Sequence, residues 1–280
     1  MRVKMCAWSV CGLLSVLLTL PVSCPAADTI RINGSGSALD MMKPLVAAYQ
    51  KSNRDAHIVM EKPLGSSGAV KALLADALDL VISSKPLKPD EIARGAQLQP
   101  FGKTPLVIIT EKNVGKKDIT IKELEDIHTG KSTTWPNGEA IRLIMRPQED
   151  VDSKILSSLS PGMAIAMSAA RSRPGMLVAV TDPEAYATVS KTPGGIGATG
   201  LTSIIVEKIQ ITPLTLNGIK ALPKTLASGA YPLSKEISLV TSTKTPPAAH
   251  KLINFILSPQ GRAIAEKCGV FVTSGATVRK

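Results

Sequence analysis

Cysteine and aromatic residues are scarce in this 280-residue chain, and their scarcity excludes several classes of protein. Three of the four cysteines, Cys6, Cys11 and Cys24, lie near the start of the chain, which leaves Cys268 alone in the remainder. A single cysteine forms no internal disulfide and supplies no cysteine-based metal cluster, so we expect Cys268 to be a small buried side chain. Aromatic residues make up 3% of the chain, too few for the stacking surface of a protein that binds single-stranded nucleic acid.

Sequence motifs of catalysis and metal binding are also missing. The chain contains no GxSxG, Ser-x-x-Lys or HExxH motif, which argues against the common hydrolases and zinc proteases. Its histidines, His57, His128 and His250, are scattered without the spacing of metal ligands. Asp150 and Asp152 form an Asp-x-Asp pair, but the neighbouring residues lack the loop spacing that Ca²⁺ or Mg²⁺ requires. We therefore expect no enzyme, no metal site and no cofactor.

Residues 1–27 have the layout of a secretory signal peptide. Arg2 and Lys4 precede an almost wholly apolar stretch over residues 6–20, which is too short to span a membrane comfortably. Small residues follow, and we expect cleavage after Ala26 or Ala27 and a periplasmic mature protein. Anchoring as a lipoprotein through Cys24 is the lesser alternative.

The mature chain is basic and lacks long apolar runs. Removing the leader lowers the formal net charge from +11 to +9, because the leader holds two of the 33 basic residues and none of the 22 acidic ones. No later apolar run approaches about 20 residues, so we expect no membrane span. The positive charge fits an exported protein that meets anions, and it fits a general habit of the source species equally well.

Three Gly/Ser-rich turns each follow a strand-like run and precede a helix-like segment. They cover residues 33–37, 64–68 and 83–86. Glycine lets the backbone approach a ligand closely, and the first N–H groups of a helix carry partial positive charge without an intrahelical partner. Serine and glycine also serve as ordinary helix caps. Three such turns within one short region predict a shared site for a small ligand at one edge of an α/β sheet.

The order of predicted elements indicates a parallel sheet flanked by helices. Residues 29–100 alternate as β-α-β-α-β-α, and residues 105–110, 141–146 and 237–241 have the pattern of buried strands. The chain shows no internal repeat and no long flexible linker. Two lobes would therefore be joined by crossing strands.

Seven segments, in chain order, resemble those of the solute-binding proteins of phosphate-type ABC importers. The segments are residues 34–37, 65–71, 79–87, 121–131, 192–197, 228–234 and 255–261. The resemblance covers nearly the whole mature chain. It implies a two-lobed periplasmic-binding-protein fold of type II, in which each lobe is a mostly parallel sheet flanked by helices. Residues 28–108 plus 232–280 would form lobe 1, residues 109–231 lobe 2, and two hinge strands would connect them.

The resemblance also implies a function. A small polar or anionic solute, by default a phosphate-like oxyanion, would bind between the lobes and favour a closed state that docks on an ABC permease at the inner membrane. The protein would be a monomer and would not act on nucleic acid. An alternative is a sensor or accessory protein with the same fold that has lost phosphate binding.

Binding residues carry over from the family only in part. The candidates are Ser35, Gly36, Ser37, Ser66, Ser67, Ser84, Arg146, Asp150 and Asp152. Ser84 stands where the family has an aspartate that accepts the proton of hydrogen phosphate. After Arg146 the family has a Gly-Ser-Gly-Thr turn, whereas residues 149–153 here read Glu-Asp-Val-Asp-Ser.

The acidic turn is the departure with the largest consequence. Ionised carboxylates only accept hydrogen bonds, and two like charges about 4 Å apart repel by about 4 kcal/mol at an effective dielectric constant of 20. Three arrangements remain open: the acids turn outward, one pairs with Arg146, or the ligand differs from phosphate. Asp150 and Asp152 read most simply as solvated loop acids, Arg146 could form a structural ion pair, and the serines could be plain helix caps.

Overall fold

The computed structural model describes residues 29–273. The predicted signal peptide, with Cys24 and its alternative lipid anchor, lies outside this range. Among the described helices, none is both long enough and apolar enough to cross a membrane.

Residues 29–273 form twelve strands and eleven α-helices, with one 3₁₀ helix at Lys112–Val114. The strands are β1 (Thr29–Gly34), β2 (His57–Met60), β3 (Leu80–Ser83), β4 (Gln97–Glu111), β5 (Asp118–Ile119), β6 (Arg142–Met145), β7 (Leu177–Val178), β8 (Gly195–Gly200), β9 (Ile211–Pro213), β10 (Thr215–Leu216), β11 (Ser234–Thr241) and β12 (Phe271–Val272). The helices are α1 (Gly36–Ser52), α2 (Gly65–Leu74), α3 (Pro89–Ala93), α4 (Ile121–Thr129), α5 (Val151–Ser157), α6 (Pro161–Arg171), α7 (Asp182–Lys191), α8 (Leu201–Glu207), α9 (Pro223–Ala227), α10 (Pro247–Leu257) and α11 (Pro259–Lys267).

The main sheet contains two groups of parallel strands. Its order is β2-β1-β3-β11-β4-β8-β6-β7, and β9 and β12 also pair with β4. Strands β1, β2 and β3 are parallel to one another, as are β6, β7 and β8. Between the groups, β11 and β4 run antiparallel to their neighbours. Helices separate successive parallel strands, as the alternating sequence pattern predicts.

Strand β4 connects the two groups of strands. Its residues 97–105 pair with β11, and its residues 106–110 pair with β8. The sequence predicts a strand only over residues 105–110, because Pro100 and Gly102 interrupt the apolar pattern of the first half. In the structure, β4 is 15 residues long and lies between β11 and β8 in the sheet.

The apolar side chains separate into distinct clusters. The largest cluster uses residues between 106 and 233, and another uses residues 30–82, Phe101 and residues 237–270. Cys268 is buried in this second cluster, as expected.

Helix α8, placed in lobe 2 by the sequence, contacts α1 of lobe 1. The Ser203 hydroxyl donates to Asp40 at 2.7 Å, and Val206 packs against the second cluster. The predicted lobe boundaries accordingly stay a prediction.

Replacing Tyr231 with phenylalanine should destabilise the protein. Tyr231 contacts β4 at Leu106, where the pairing of β4 changes from β11 to β8. The buried Tyr231 hydroxyl donates a hydrogen bond to the main-chain carbonyl of Leu106 at 2.8 Å. Its loss leaves a buried acceptor unpaired, which costs about 1–3 kcal/mol. Urea denaturation should show this loss for Tyr231→Phe. The matched variant Tyr186→Phe, at a partly buried side chain beside the same cluster, should change the free energy of unfolding by less than about 0.5 kcal/mol. Equal effects of the two variants would refute the assignment.

Candidate functional site

Four helices begin at one cavity of about 270 Å³. The cavity is lined by residues at the starts of α1 and α2 on one side and of α5 and α7 on the other. Helices α1, α5 and α7 follow the parallel strands β1, β6 and β7, whose carboxyl ends are the usual position of a ligand site in an α/β sheet. The lining residues are Ser35, Gly36, Pro63, Leu64, Gly65, Ser66, Ser67, Gly68, Lys85, Arg146, Pro147, Glu149, Asp150, Val151, Val180, Thr181 and Asp182.

Six of the nine predicted binding residues line this cavity. They are Ser35, Gly36, Ser66, Ser67, Arg146 and Asp150. The other three, Ser37, Ser84 and Asp152, are buried and do not line it. Among the described residues, the hydroxyls of Ser37 and Ser84 have no hydrogen-bond partner. The binding roles of all nine residues stay predictions.

Lys85 spans the cavity and was not among the predicted binding residues. Its ammonium group donates to the main-chain carbonyl of Glu149 at 2.7 Å and to the Ser67 hydroxyl at 3.4 Å. Burial, with lesser effects from nearby charges, lowers the pKa of Lys85. The hydroxyl of Ser66 accepts the N–H of Ser84 at 2.9 Å and so fixes the turn after β3. The sequence did contain a signal for Lys85, because this lysine follows Ser83 and Ser84 within the third Gly/Ser-rich turn.

The acidic turn adopts the second of the three open arrangements. The Arg146 guanidinium pairs with Asp150 at 2.9 Å, while Glu149 points outward and pairs with Lys154 at 2.8 Å. Asp150 is the N-cap of α5 and accepts the Asp152 N–H at 2.9 Å. A carboxylate is stabilised there because the first N–H groups of the helix need an acceptor.

Asp152 corrects the expectation that both aspartates are solvated loop acids. It belongs to the first turn of α5 and is completely buried. Lys235, at the start of β11 and itself 1% exposed, places its ammonium 2.7 Å from one carboxylate oxygen each of Asp152 and Asp182. The contact with Asp182 is a hydrogen bond, whereas the contact with Asp152 is close but lacks hydrogen-bond geometry. Arg146 lies 3.8 Å from each of these two carboxylates.

Three carboxylates thus share two buried cations, and the pKa values of Asp152 and Asp182 shift in opposite directions. Burial raises the pKa of Asp152 to about 7. The positive charges of Lys235 and Arg146 act to lower this pKa, and the negative charges of Asp182 and Asp150 act to raise it. Burial also acts against the ionised form of Asp182, but Lys235 and Arg146 outweigh it and lower the pKa of Asp182. The carboxylates likewise outweigh burial at Lys235 and raise its pKa. Asp152 is therefore the group on which the excess negative charge is most easily neutralised.

Asp182 also reaches the start of α1. The Ser37 main-chain N–H contributes to lowering the pKa of Asp182, and a Cβ at Gly36 would lie 2.8 Å from the Cβ of Asp182. Only glycine at this position permits so close an approach. Asp182 is the first residue of α7, and Thr181 before it is the N-cap, whose hydroxyl accepts the Glu184 N–H at 3.3 Å. Part of the predicted ligand site, at the start of α1, is therefore occupied by the Asp182 carboxylate.

A larger cavity, of about 420 Å³, lies elsewhere and includes none of the predicted binding residues. It lies beside the first residues of β6 and β7, Arg142 and Leu177, and therefore at the ends of these strands opposite to the helix starts. We assign the candidate site to the smaller cavity because the helix starts and the charged side chains converge there.

The buried Asp152 and the buried His128 should give opposing pH dependences of stability. With a folded pKa of about 7, Asp152 holds a proton more tightly than in the unfolded chain, so its contribution to the free energy of unfolding grows as pH falls from about 7 towards 4. Burial lowers the pKa of His128 from 6.5 to about 4, so its contribution shrinks as pH falls from about 6.5 to 4.

Asp152→Asn should therefore lose stability on acidification by about 1 kcal/mol per pH unit relative to the wild type. His128→Asn, whose amide can replace the ring N–H that faces the Leu124 carbonyl, should change in the opposite direction. Urea denaturation at pH 4.5, 5.5 and 6.5 measures both slopes. Parallel slopes in the three proteins would contradict these assignments.

Comparison with known proteins agrees with this architecture. The family profile described as the PBP superfamily domain matches residues 22–260. The phosphate-binding protein PstS of Borreliella burgdorferi is 25% identical over 249 residues, covering 86% of this chain and 88% of the relative.

Solved structures show the same fold. A phosphate ABC transporter substrate-binding protein with bound phosphate from Clostridium perfringens has a TM-score of 0.74 and 21% identity, covering 88% of this chain and 100% of that one. An ABC-type phosphate transport receptor from Vibrio cholerae has a TM-score of 0.61 and 17% identity, covering 87% and 100% of the two chains. The predicted fold is confirmed, and the chain belongs to the PBP superfamily.

Proposed function

We propose that this protein is an extracytoplasmic solute-binding protein of an ABC importer and that it binds a small anionic or polar solute in the 270 Å³ cavity. The observation that carries the proposal is the meeting of helix starts and basic side chains, Lys85 and Arg146, at one cavity between two groups of strands. The similarity to proteins named as phosphate-binding proteins supports an anionic ligand.

Binding would draw on groups from both sides of the cavity. The start of α2, with Ser66 and Ser67, offers N–H and O–H donors, and Lys85 adds a cation. Arg146 stands opposite, although Asp150 already pairs with it. A solute that contacts both sides stabilises the closed arrangement and shifts the population towards it. That closed form would dock on a permease at the inner membrane.

The other parts of the proposal rest on the sequence and the relatives. The signal-like residues 1–27 support a periplasmic location. The relatives are named as binding and transport proteins, which favours a non-catalytic importer component over the sensor alternative. Calorimetric titration of the protein without residues 1–27 against phosphate, sulfate, molybdate and methylphosphonate tests the role. A silent panel would contradict it.

Lys85→Met should weaken the binding of any anion that this panel identifies by about ten- to hundredfold. The expected loss corresponds to a hydrogen bond from a charged donor, worth about 1.5–3 kcal/mol. Isothermal titration calorimetry measures the change.

The matched control is Lys88→Met, three residues along the chain at an exposed position that does not line the cavity. Its dissociation constant should stay within about twofold of the wild-type value. If both variants bind as the wild type does, Lys85 takes no part in binding and the proposed site is wrong.

A further inference from the structure

We propose that the solute is a small organic anion with one negative charge and a short apolar group, in place of an inorganic dianion such as hydrogen phosphate or sulfate. This inference rests on the proposed function and specifies the chemistry of the same cavity. Three features of the cavity carry it: the charge balance, the volume and the apolar part of the lining.

The charged groups at the cavity leave room for a single negative charge. Lys85, Arg146, Asp150 and Asp182 line the cavity, and the buried side chains of Lys235 and Asp152 contact Asp182 and Arg146, respectively. The formal charges of these six side chains cancel, and a proton held by the buried Asp152, whose pKa burial raises, leaves a net charge of +1. The exposed pair of Glu149 with Lys154 adds nothing to this balance.

A dianion in this cavity would be repelled by the carboxylates that line it. Asp150 and Asp182 both line the cavity as carboxylates, and they accept hydrogen bonds without donating any. Since Asp150 already neutralises Arg146, Lys85 is the remaining lining cation that an anion can approach. One negative charge on the ligand matches this arrangement.

The cavity is larger than an inorganic oxyanion needs. At about 30 Å³ for each water in the liquid, its 270 Å³ corresponds to about nine waters. Phosphate and sulfate each have only five non-hydrogen atoms. A ligand that fills the space therefore carries additional atoms beyond a tetrahedral head group.

Apolar residues on both sides of the cavity indicate what those atoms are. Leu64, before α2, is 54% exposed, and Val180, before α7, is 64% exposed. Both line the cavity, as do Pro63, Pro147 and Val151. Exposed large apolar side chains at a concave polar site are typical of contacts to the apolar part of a ligand.

Titration of the purified protein at pH 7 with two homologous series tests the inference. The probes are the alkanesulfonates and alkylphosphonates with one to three carbons, with inorganic sulfate and phosphate as references. Burial of one methylene is worth about fourfold in affinity. We expect the dissociation constant to fall about fourfold with each added carbon in at least one series, and the best member to bind at least tenfold more tightly than its inorganic reference.

Val180→Thr tests the apolar contact without disturbing the anion-binding groups. It replaces one methyl of Val180 with a hydroxyl, and the gain in affinity per added methylene should fall below about twofold. Val178→Thr is the matched control, because Val178 is 51% exposed and does not line the cavity. It should keep the fourfold dependence.

Each remaining outcome counts against a defined claim. Tighter binding of phosphate or sulfate than of every alkyl member, or affinity that does not rise with chain length, overturns this inference and leaves the proposed function in place. Equal chain-length dependence in Val180→Thr and Val178→Thr overturns the role of Val180. Failure of all the probes to bind overturns this inference and the proposed anion-binding function together.

Discussion

The buried ammonium group of Lys235 is the interaction on which the cavity depends. Lys235 begins β11, which lies beside the long strand β4, and it contacts Asp152 from α5 and Asp182 from α7. Asp182 in turn approaches the start of α1 at Gly36. Elements from both groups of strands are therefore positioned around one cation, and removing a partner from such a buried cluster leaves uncompensated charge.

The same cluster explains why an acidic turn is compatible with a binding cavity. Asp150 caps α5 and neutralises Arg146, and Asp182 contacts the first turn of α1. Carboxylates of the protein thus stand where an incoming anion would otherwise be held. The donors that remain for a ligand are concentrated at the start of α2 and at Lys85. We infer that the acidic turn at residues 149–153 changes which solute the cavity binds, although the helix starts still converge on it.

Much of the fold was predictable because its signals are local. The alternation of apolar runs and Gly/Ser turns predicts the β-α-β-α-β-α order that the structure shows as β1, α1, β2, α2, β3 and α3. The first half of β4 was not predicted, because a proline and a glycine interrupt its apolar pattern. At the site, the turns identified four lining residues, and the family resemblance added Arg146 and Asp150. They could not identify Lys235 and Asp182, whose hydrogen bond joins residues 53 positions apart, because one sequence carries no signal for such a pair.

The most direct test of the central claim compares the free energies of unfolding of Lys235→Met and Lys103→Met. Lys103 lies on β4 and forms an exposed ion pair with Glu236 at 2.9 Å, the residue next to Lys235. The account predicts a loss of about 3–5 kcal/mol for Lys235→Met, because two buried carboxylates lose their cation, and less than about 1 kcal/mol for Lys103→Met. Small and equal losses for the two variants would contradict it.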